Sequence, residues 1–404
     1  MEEVRGSIPL SSTRLFVNDA LMRRHSRYVG RAMATTIEVV RDDITTSRVV
    51  TRPIQELSEG QARLRVESFA LTSNNITYAA FGDGLRYWDF FPVPAGDSSD
   101  DGRPWGRVPV WGFATVIESR SNDLEVGRRV YGYLPMSDEL VVEPGRRDDS
   151  GFTDTAEHRR PMAAAYNRYV FPEAAPTYDS AYDAHQMVLW PLFMTSFMID
   201  DYLASEGTDR PEMFGASIAV LSSASSKTAI GAAHLLARRH GLRVVGLTSE
   251  RSLEFVESLG CYHDVLSYAS VGECPLGDAV YVDIAGDRGV NFDVHSHYDS
   301  RLAHSLVVGG THWNADPTST TRLPGPKPEF FFAPAQIALR TKQWGRDGLD
   351  ERVGSAWRHF AEWSNDWLQF ETTAGAEPIR ALYDRLAAGR IDPRVGHVCS
   401  LIAR

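Results

Sequence analysis

The sequence is poor in cysteine. Only Cys261, Cys274 and Cys399 occur in 404 residues. Three cysteines so far apart are too few for a disulfide framework or for a four-ligand zinc site. We therefore expect an unbridged chain, and a reducing cytoplasm suits this cysteine content best.

No apolar run is long enough to predict a membrane span. The longest, Met187–Ile199, contains Pro191 and two hydroxyl side chains, Thr195 and Ser196. A spanning helix needs roughly 20 mostly apolar residues. The run therefore predicts a segment of the protein core, and we expect no membrane partner.

An excess of positive charge is also missing. The formal net charge is −11, with 53 acidic against 42 basic residues. Proteins that bind nucleic acid or anionic membranes need a concentrated basic face, which this balance disfavours. The composition, 43% hydrophobic, is that of a globular chain long enough for two domains. We expect its partner to be a small-molecule substrate and not a nucleic acid.

Residues 1–33 form a basic, serine-containing stretch that allows two interpretations. Five arginines give it the character of a transit peptide: Arg14, Arg23, Arg24, Arg27 and Arg31. Glu2, Glu3 and Asp19 oppose that interpretation, because transit peptides contain few acidic residues. We favour an extension ahead of the folded core, one that need not be ordered.

Two different apolar patterns divide the rest of the chain. From Thr36 to about Pro144, short apolar runs alternate with Gly, Pro, Asp and Ser, which predicts mostly strands. From Ala216, β-branched runs alternate with amphipathic segments, which predicts the order βαβαβαβ. The predicted strands are Ser217–Ser223, Arg243–Ser249, Asp278–Ile284 and Ser305–Gly310, and the predicted helices are Lys227–Arg239, Arg251–Leu259 and Phe292–Ala303.

These patterns predict an α/β protein with two domains. The βα alternation implies a Rossmann-type, doubly wound parallel sheet, whose ligand site lies at the carboxyl ends of the strands. We expect this cofactor-binding domain to cover residues 191–324. Residues 34–190 and 325–404 are expected to form a β-rich substrate domain with a helical C-terminal tail. That tail is predicted to contain helices Glu351–Phe370 and Glu377–Ala388 and a strand Gly396–Ile402.

The turn after the first strand of the alternation is short of glycine. A dinucleotide-binding turn normally contains several glycines, so that the backbone can approach a diphosphate. Here only Gly231 remains, and Ser225, Ser226 and Thr228 offer hydroxyl donors instead. Lys227 adds positive charge at a helix N-terminus that already favours anions. The turn alone leaves two interpretations open: a phosphate site, or a serine-rich N-cap beside a solvated lysine.

The end of the second strand favours one cofactor over another. NAD-selective sheets place an acidic residue there, which binds the ribose hydroxyls of the adenosine. In this chain Ser249 and Arg251 follow the strand and are suited to a 2′-phosphate. NADPH is therefore the predicted cofactor. Glu250 lies between the two residues, and a shifted strand end would reverse the preference.

The order of these segments resembles the medium-chain dehydrogenase/reductase superfamily, especially its zinc-free quinone and enoyl reductase branch. More specifically, it resembles an uncharacterised domain-of-unknown-function family related to that superfamily. The resemblance covers about residues 36–404 and implies a GroES-like fold for the β-rich domain and, from the superfamily's habit, a homodimer. The similar segments are Ser225–Gly231, Val282–Gly286, Phe330–Ile337, Glu67–Asn74, Asp123–Val130 and Leu192–Ser196.

The resemblance also implies a site without zinc. Zinc-containing members have a Cys near the position of Asn74 and a Gly-His-Glu near Trp111–Phe113, and this sequence has neither. We therefore expect neither a catalytic nor a structural zinc ion. Without a metal, the donor to a reacting oxygen has to be a side chain or a hydroxyl of the cofactor.

By the same resemblance, Asn74 and Tyr78 are the candidate catalytic residues. Asn74 matches the superfamily's strand-end Asn and would orient nicotinamide or substrate. Tyr78 offers a phenol that can hydrogen-bond a substrate oxygen as negative charge develops there. The alternative is a polar turn with one buried tyrosine. Four aromatic residues could wall an apolar pocket or only pack a loop: Tyr87, Trp88, Phe90 and Phe91.

Further candidates surround the expected cofactor. The resemblance brings Thr195 near the nicotinamide, and it gives Asp283 and Gly286 a role in packing and close approach to the cofactor. Lys327 and Phe330 lie in a loop expected to cover the nicotinamide. Two histidines are alternative proton donors, although a lone histidine is more often structural: His185 and His312.

Together these features predict an NADPH-dependent, zinc-independent oxidoreductase of the cytoplasm. The substrate is expected to be small and apolar, with an activated C=C as in an enone or quinone. One alternative is a zinc-free carbonyl reductase or alcohol dehydrogenase. The other is a non-catalytic NADPH-binding protein, which the shortage of glycine in the cofactor turn would suit.

Overall fold

The computed structural model describes residues 33–94, 102–174, 178–308 and 323–402, and these residues form three β-sheets. The strands of these sheets, in chain order, are β1 (Met33–Val40), β2 (Asp43–Pro53), β3 (Ala62–Leu71), β4 (Trp105–Gly106), β5 (Pro109–Ser119), β6 (Arg129–Pro135), β7 (Glu139–Val142), β8 (Pro144–Asp148), β9 (Gly151–Asp154), β10 (Arg168–Val170), β11 (Ile218–Leu221), β12 (Arg243–Thr248), β13 (Asp264–Ser267), β14 (Ala279–Asp283), β15 (Leu302–Val307), β16 (Glu329–Phe330), β17 (Gln369–Ala374) and β18 (Val395–Ser400).

The helices of the same ranges lie mostly in the second half of the chain. They are α1 (Ser73–Ala80), α2 (Ala164–Asn167), α3 (Asp183–Val188), α4 (Trp190–Ala204), α5 (Lys227–Leu236), α6 (Leu253–Ser258), α7 (Arg288–Tyr298), α8 (Ala333–Ser364) and α9 (Ala376–Ala387). None of the helices described is both long and apolar enough to cross a bilayer.

Six strands form a parallel sheet in the order β13-β12-β11-β14-β15-β16. Every residue of β11 and β14 is buried, as expected for parallel strands covered by helices on both faces. The direction of winding reverses between β11 and β14, and ligands of such sheets bind beyond the carboxyl ends of the strands at that point. The predicted Rossmann-type sheet is confirmed.

Two strands of this sheet are additional to the four that the sequence predicts. Strand β13 has four residues and contains both Asp and Ser, and β16 has only two residues. Neither carries the run of β-branched side chains by which a buried strand is recognised in a sequence. They pair with β12 and β15, respectively, and so extend the sheet at both edges.

The β-rich domain contains a nine-stranded sheet, and the C-terminal residues of the chain complete it. Strand β18 is antiparallel to β3, and β17 pairs with β18 in parallel at the sheet's edge. A smaller sheet of β2, β1 and β4 lies beside it. The buried side chains of β1, β3, β5, β6 and β18 share one apolar core with α9. This arrangement confirms the predicted β-rich, GroES-like domain beside the Rossmann sheet.

The segment 325–404 is divided between the two halves of the molecule. Helix α8, which breaks at Gly345 (φ +72°), packs on α4 on the side of the parallel sheet, where Phe360 and Phe193 stack at 4.8 Å between ring centroids. Strands β17 and β18 join the β-rich sheet instead. The helix predicted at Glu351–Phe370 begins earlier in the structure, at Ala333, and ends earlier, at Ser364. Gln369–Ala374 is a strand.

Candidate functional site

One large cleft of about 1940 Å³ lies between the parallel sheet and the β-rich domain. It is lined by residues that end the parallel strands or follow their carboxyl ends: Ser223, Thr248, Ser249, Ile284, Val308 and Phe330. The opposite wall contains Thr72, Asn74 and Tyr78, which follow β3. The cleft thus lies at the position where a doubly wound sheet binds its ligand.

The turn between β11 and α5 is held by tyrosines in place of glycines. Ser223 has φ +52°, a conformation that favours glycine, and its amide donates to the Tyr268 phenol at 3.1 Å. The Tyr262 phenol donates to the Ala224 carbonyl at 2.9 Å. These two contacts from the neighbouring β13 region hold the turn in position although it contains no glycine.

Helix α5 begins immediately after this turn and presents its N-terminus to the cleft. The Ser226 hydroxyl caps the Ala229 amide at 3.3 Å. The first two helical residues, Lys227 and Thr228, carry amides for which a helix supplies no partner, and both residues line the cleft together with Ser225. Hydroxyls and amides therefore converge where a phosphate would be held.

Lys227 has a second role that the sequence does not predict. Its ammonium donates to the carbonyls of Pro393 at 3.0 Å and Val395 at 2.9 Å. Some of the residue faces the cleft, but the ammonium itself is enclosed, and this loss of hydration lowers its pKa to about 8 against the opposing pull of Asp392. Lys227 therefore links α5 to the start of β18, and two of its three ammonium protons are committed within the protein.

The loop that follows β12 presents serine and arginine side chains to the cleft. The strand ends at Thr248, and Ser249, Arg251 and Ser252 line the cleft. Arg251 is exposed, and its guanidinium makes one long hydrogen bond of 3.3 Å to the Gly389 carbonyl. Glu250 is exposed and lies outside the cleft lining. The strand end is thus not shifted toward the acidic residue.

Gly231 and Gly286 lie outside the lining of the cleft. A Cβ on Gly231 would meet the Ser196 hydroxyl at 2.6 Å, so this glycine allows α5 to approach α4 closely. Gly286, at φ +65°, donates its amide to Asp283, whose carboxylate also accepts from the buried Ser222 hydroxyl at 2.8 Å. Both glycines shape the backbone around the site and do not face a ligand directly.

Tyr78 has its phenol oxygen held by neighbours on the wall opposite α5. It is 5% exposed, and its oxygen accepts a hydrogen bond of 3.1 Å from the Trp111 indole. Burial raises the pKa of Tyr78, while Trp111 and Asn74 act in the lowering direction. The phenol therefore keeps its proton near neutral pH.

The family resemblance places Asn74 at the end of a strand. In the structure it lies in the first turn of α1 instead. Strand β3 ends at Leu71, Thr72 is the N-cap, and the Asn75 side chain accepts the Thr72 amide at 2.7 Å. Asn75 is thereby committed to the turn, whereas Asn74 is half-buried and lines the cleft. The turn thus presents one amide side chain to the cleft and uses the other for support.

An aromatic cluster surrounds Tyr78. Tyr87 lies 4.7 Å away between ring centroids, Tyr133 5.4 Å and Tyr166 6.4 Å. Of the four aromatic residues considered from the sequence, Tyr87 lines the cleft, while Trp88, Phe90 and Phe91 are buried behind it. The sequence reasoning missed further lining residues: Trp111, Tyr131 and Tyr166. The alternating aromatics Trp111–Phe113 and Tyr131–Tyr133 on paired strands are the signal that could have indicated them.

Of the remaining candidate residues, some line the cleft and others do not. Thr195, in α4, and Phe330, in β16, line the cleft. Lys327 is exposed and does not. His185 is buried away from the cleft, where its Nε2 pairs with Asn365 at 2.9 Å and burial lowers its pKa. His312 lies outside the described residues.

The cysteines and other metal-binding side chains do not assemble in the ranges described. Cys261, Cys274 and Cys399 are free and buried. No group of three or more His, Cys, Asp or Glu side chains among the described residues could hold a metal ion.

The donors of the cleft suit a phosphorylated dinucleotide. Serine and threonine hydroxyls and unpaired helix amides converge at the start of α5, and a serine and an arginine follow the next strand. These groups all donate to oxygen anions, and they lie at the two places where a Rossmann sheet holds a diphosphate and an adenosine ribose. The apolar and aromatic residues lie toward Tyr78, at the other end.

The chain matches one protein family, and its fold is similar to those of solved structures. A family model described as "Protein of unknown function (DUF2855)" matches residues 69–392. The fold is similar to that of CurA from Vibrio vulnificus, solved in complex with NADPH, with a TM-score of 0.55 and 13% identity; 92% of this chain and 100% of CurA are covered. It is also similar to a mutant form of enoyl thioester reductase from Candida tropicalis, with a TM-score of 0.51 and 13% identity over 91% of this chain and 100% of that one.

At such low identity the two structures establish the fold alone. The family match confirms the predicted uncharacterised family. No curated protein matches the sequence.

Proposed function

The chain belongs to the DUF2855 family of proteins of unknown function, and from its cleft we propose that it is an NADPH-dependent, zinc-independent oxidoreductase. Its substrate is a small apolar molecule with an activated C=C, such as an enone or quinone. The observation that carries the proposal is that one cleft joins a dinucleotide-type donor set to a protonated, buried tyrosine.

The adenosine end of the cofactor is assigned to the carboxyl end of β12. Ser249 and Arg251 would hold a 2′-phosphate, and the exposed Glu250 lies outside the cleft lining. The first turn of α5, with Ser225, Ser226 and Thr228, would hold the diphosphate. Thr195 and Phe330 lie where the nicotinamide end would reach the β-rich wall.

The chemistry at the other end depends on Tyr78. NADPH, when bound, supplies the hydride. Tyr78 donates its phenol proton in a hydrogen bond to the substrate carbonyl oxygen, which gains negative charge as the C=C is reduced. Trp111 fixes the phenol oxygen, and Asn74 orients the substrate or nicotinamide beside it. The aromatic residues around Tyr78 exclude water and suit a flat, apolar substrate.

The direct test is turnover of a substrate panel with NADPH deuterated at the transferable position. We expect reduction of cyclohexenone, menadione or another activated alkene, with the label of an enone product on the carbon β to its carbonyl. Label on a carbinol carbon would instead favour the carbonyl reductase alternative. Binding of NADPH with no turnover of any enone, quinone or ketone would favour a non-catalytic NADPH-binding protein.

The assignment of Arg251 leads to a prediction about cofactor preference. Arg251→Ala is expected to weaken NADPH binding roughly 10-fold and to leave NADH binding unchanged, because a charge-assisted hydrogen bond to the 2′-phosphate is lost. The measurement is a fluorescence titration with each nucleotide.

The matched control is Arg243→Ala, which removes the same charge from the opposite end of the same strand, where Arg243 pairs with Asp264. Equal NADPH affinities for Arg251→Ala and the wild type would remove Arg251 from the phosphate site.

A further inference from the structure

His397 in β18 is a buried histidine without a hydrogen bond. The residue is 5% exposed, and neither ring nitrogen has a hydrogen-bond partner among the described residues. Buried polar groups are nearly always hydrogen-bonded, so an orphaned imidazole needs an explanation. His397 also lines the cleft, which means that a ligand could supply the missing partner.

The position of His397 connects the two ends of the cleft. Its backbone pairs with Leu71, one residue before the Thr72 cap of the turn that carries Asn74. Two residues earlier on the same strand, the Val395 carbonyl accepts the Lys227 ammonium at 2.9 Å. Val395 and His397 both line the cleft, so this part of β18 lies between the N-terminus of α5 and the start of α1.

The turn before α5 explains why an additional donor is needed there. Its backbone amides are partly committed, since Ser223 donates to Tyr268 and Ala224 donates to the Leu247 carbonyl at 2.9 Å. Ser226 uses its hydroxyl to cap Ala229. Fewer donors are therefore free than in a glycine-rich turn, where the backbone itself surrounds the diphosphate.

On the basis of the proposed function, we infer that His397 is an anion-binding residue that donates a hydrogen bond from its ring to the diphosphate of the dinucleotide, together with the first turn of α5. A strand of the β-rich domain thereby supplies a donor that the Rossmann turn lacks. The ligand class is a diphosphate ester, and inorganic pyrophosphate is the minimal probe of the site.

The charged groups around His397 determine how binding depends on pH. Burial, the largest effect, lowers its pKa, and so do Lys227 from α5 and Arg385 from α9; Glu371 from β17, 3.7 Å from Nδ1, acts in the opposite direction. The free imidazole is therefore neutral at pH 7. A bound anion favours the protonated ring and raises its pKa, so binding takes up a proton and affinity increases as pH falls.

The experiment is calorimetric titration of the full chain with NADP⁺ between pH 6.5 and 8, for the wild type and for His397→Gln. We expect the variant to bind roughly 10-fold more weakly at pH 6.5, since a hydrogen bond from a charged donor is lost. The gap should narrow toward pH 8. The 2′-phosphate of NADP⁺ also titrates in this range, but it does so equally in both proteins, so the difference between them isolates His397.

His185→Gln is the matched control. This histidine is also buried and also has a pKa lowered by burial, but it pairs with Asn365 and does not line the cleft. It should leave affinity and its pH dependence unchanged. Equal affinities and equal pH dependence for His397→Gln and the wild type would overturn the inference while leaving the proposed cofactor in place.

A second probe separates the inference from the proposed function. Pyrophosphate should shift one histidine ring resonance in the NMR spectrum of the wild type, and that resonance should be absent in His397→Gln or, if that variant does not fold, in His397→Asn. If pyrophosphate shifts the His397 resonance while neither NADP⁺ nor NADPH binds, His397 is an anion-binding residue and the proposed NADPH-dependent function is wrong. A His397 resonance that responds to neither pyrophosphate nor NADP⁺ overturns the inference.

Discussion

Tyr78→Phe is expected to lower kcat for reduction of an activated alkene by roughly 100-fold or more, because removal of one donor to a developing oxyanion has an effect of that size. The affinity for NADPH should not change, because the Tyr78 phenol lies on the wall opposite α5 and β12. The expected signature is thus a loss in kcat with an unchanged dissociation constant for the cofactor. Steady-state kinetics on a substrate found in the panel, together with an NADPH titration, measures both.

The control for this prediction is Tyr131→Phe. Tyr131 also lines the cleft and is also buried, but its phenol donates to the Gln186 carbonyl at 3.0 Å. Its hydroxyl is therefore committed within the protein, and its loss should change kcat little. Wild-type kcat in Tyr78→Phe would reduce Tyr78 to part of an apolar wall, and equal losses in both variants would indicate a general disturbance of the aromatic cluster.

Arg159→Met is expected to lower the free energy of unfolding by about 3–5 kcal/mol, because it leaves a buried carboxylate without its charge partner. Arg159 is 1% exposed and Asp154 2%. The guanidinium lies 3.5 Å from Asp154 and donates to the Tyr166 carbonyl at 2.7 Å and to the Asn167 side chain at 3.0 Å. The arginine therefore joins the β9 end to the segment that carries Tyr166 into the cleft.

Urea unfolding followed by tryptophan fluorescence measures this change. Arg160→Met is the matched control, because the neighbouring arginine is exposed and makes one hydrogen bond of 3.3 Å to Thr155. Adding Asp154→Asn to Arg159→Met should recover part of the loss by removing the unpaired charge. A variant as stable as the wild type would show that the pair contributes nothing net to the stability of this region.

The sequence predicts the parts of the site that depend on local order along the chain. The β12 end is an example: a strand followed by Ser249, Glu250 and Arg251 leaves little choice of which side chains follow the sheet. The same holds for the start of α5, where Ser226 is a good N-cap and Lys227 begins the helix. Such features follow from turn and cap chemistry within a few residues.

The parts that depend on long-range contacts are not predictable in this way. From the sequence, Lys227 is expected to be a solvated or a phosphate-binding lysine. In the structure its ammonium donates to the carbonyls of Pro393 and Val395, more than 160 residues away along the chain. His397 likewise becomes a candidate only once β18 pairs with β3 and brings it into the cleft. Gly231 is conspicuous in the sequence as a cofactor glycine, but the residue that requires its small size is Ser196 of α4.

The extended helix prediction near the C-terminus was wrong for a related reason. The predicted helix runs to Phe370, but Gln369 and Phe370 begin β17, which pairs with β18 at the edge of the β-rich sheet. Tertiary pairing outweighs intrinsic preference in such short segments.

Binding of NADPH in this cleft is tested most directly by a titration of the purified protein with NADPH and NADH, followed by nicotinamide fluorescence. We expect saturable binding of both nucleotides, with NADPH bound at least about 10-fold more tightly because only it offers a 2′-phosphate to Ser249 and Arg251. No saturable binding of either nucleotide, or tighter binding of NADH, would contradict it.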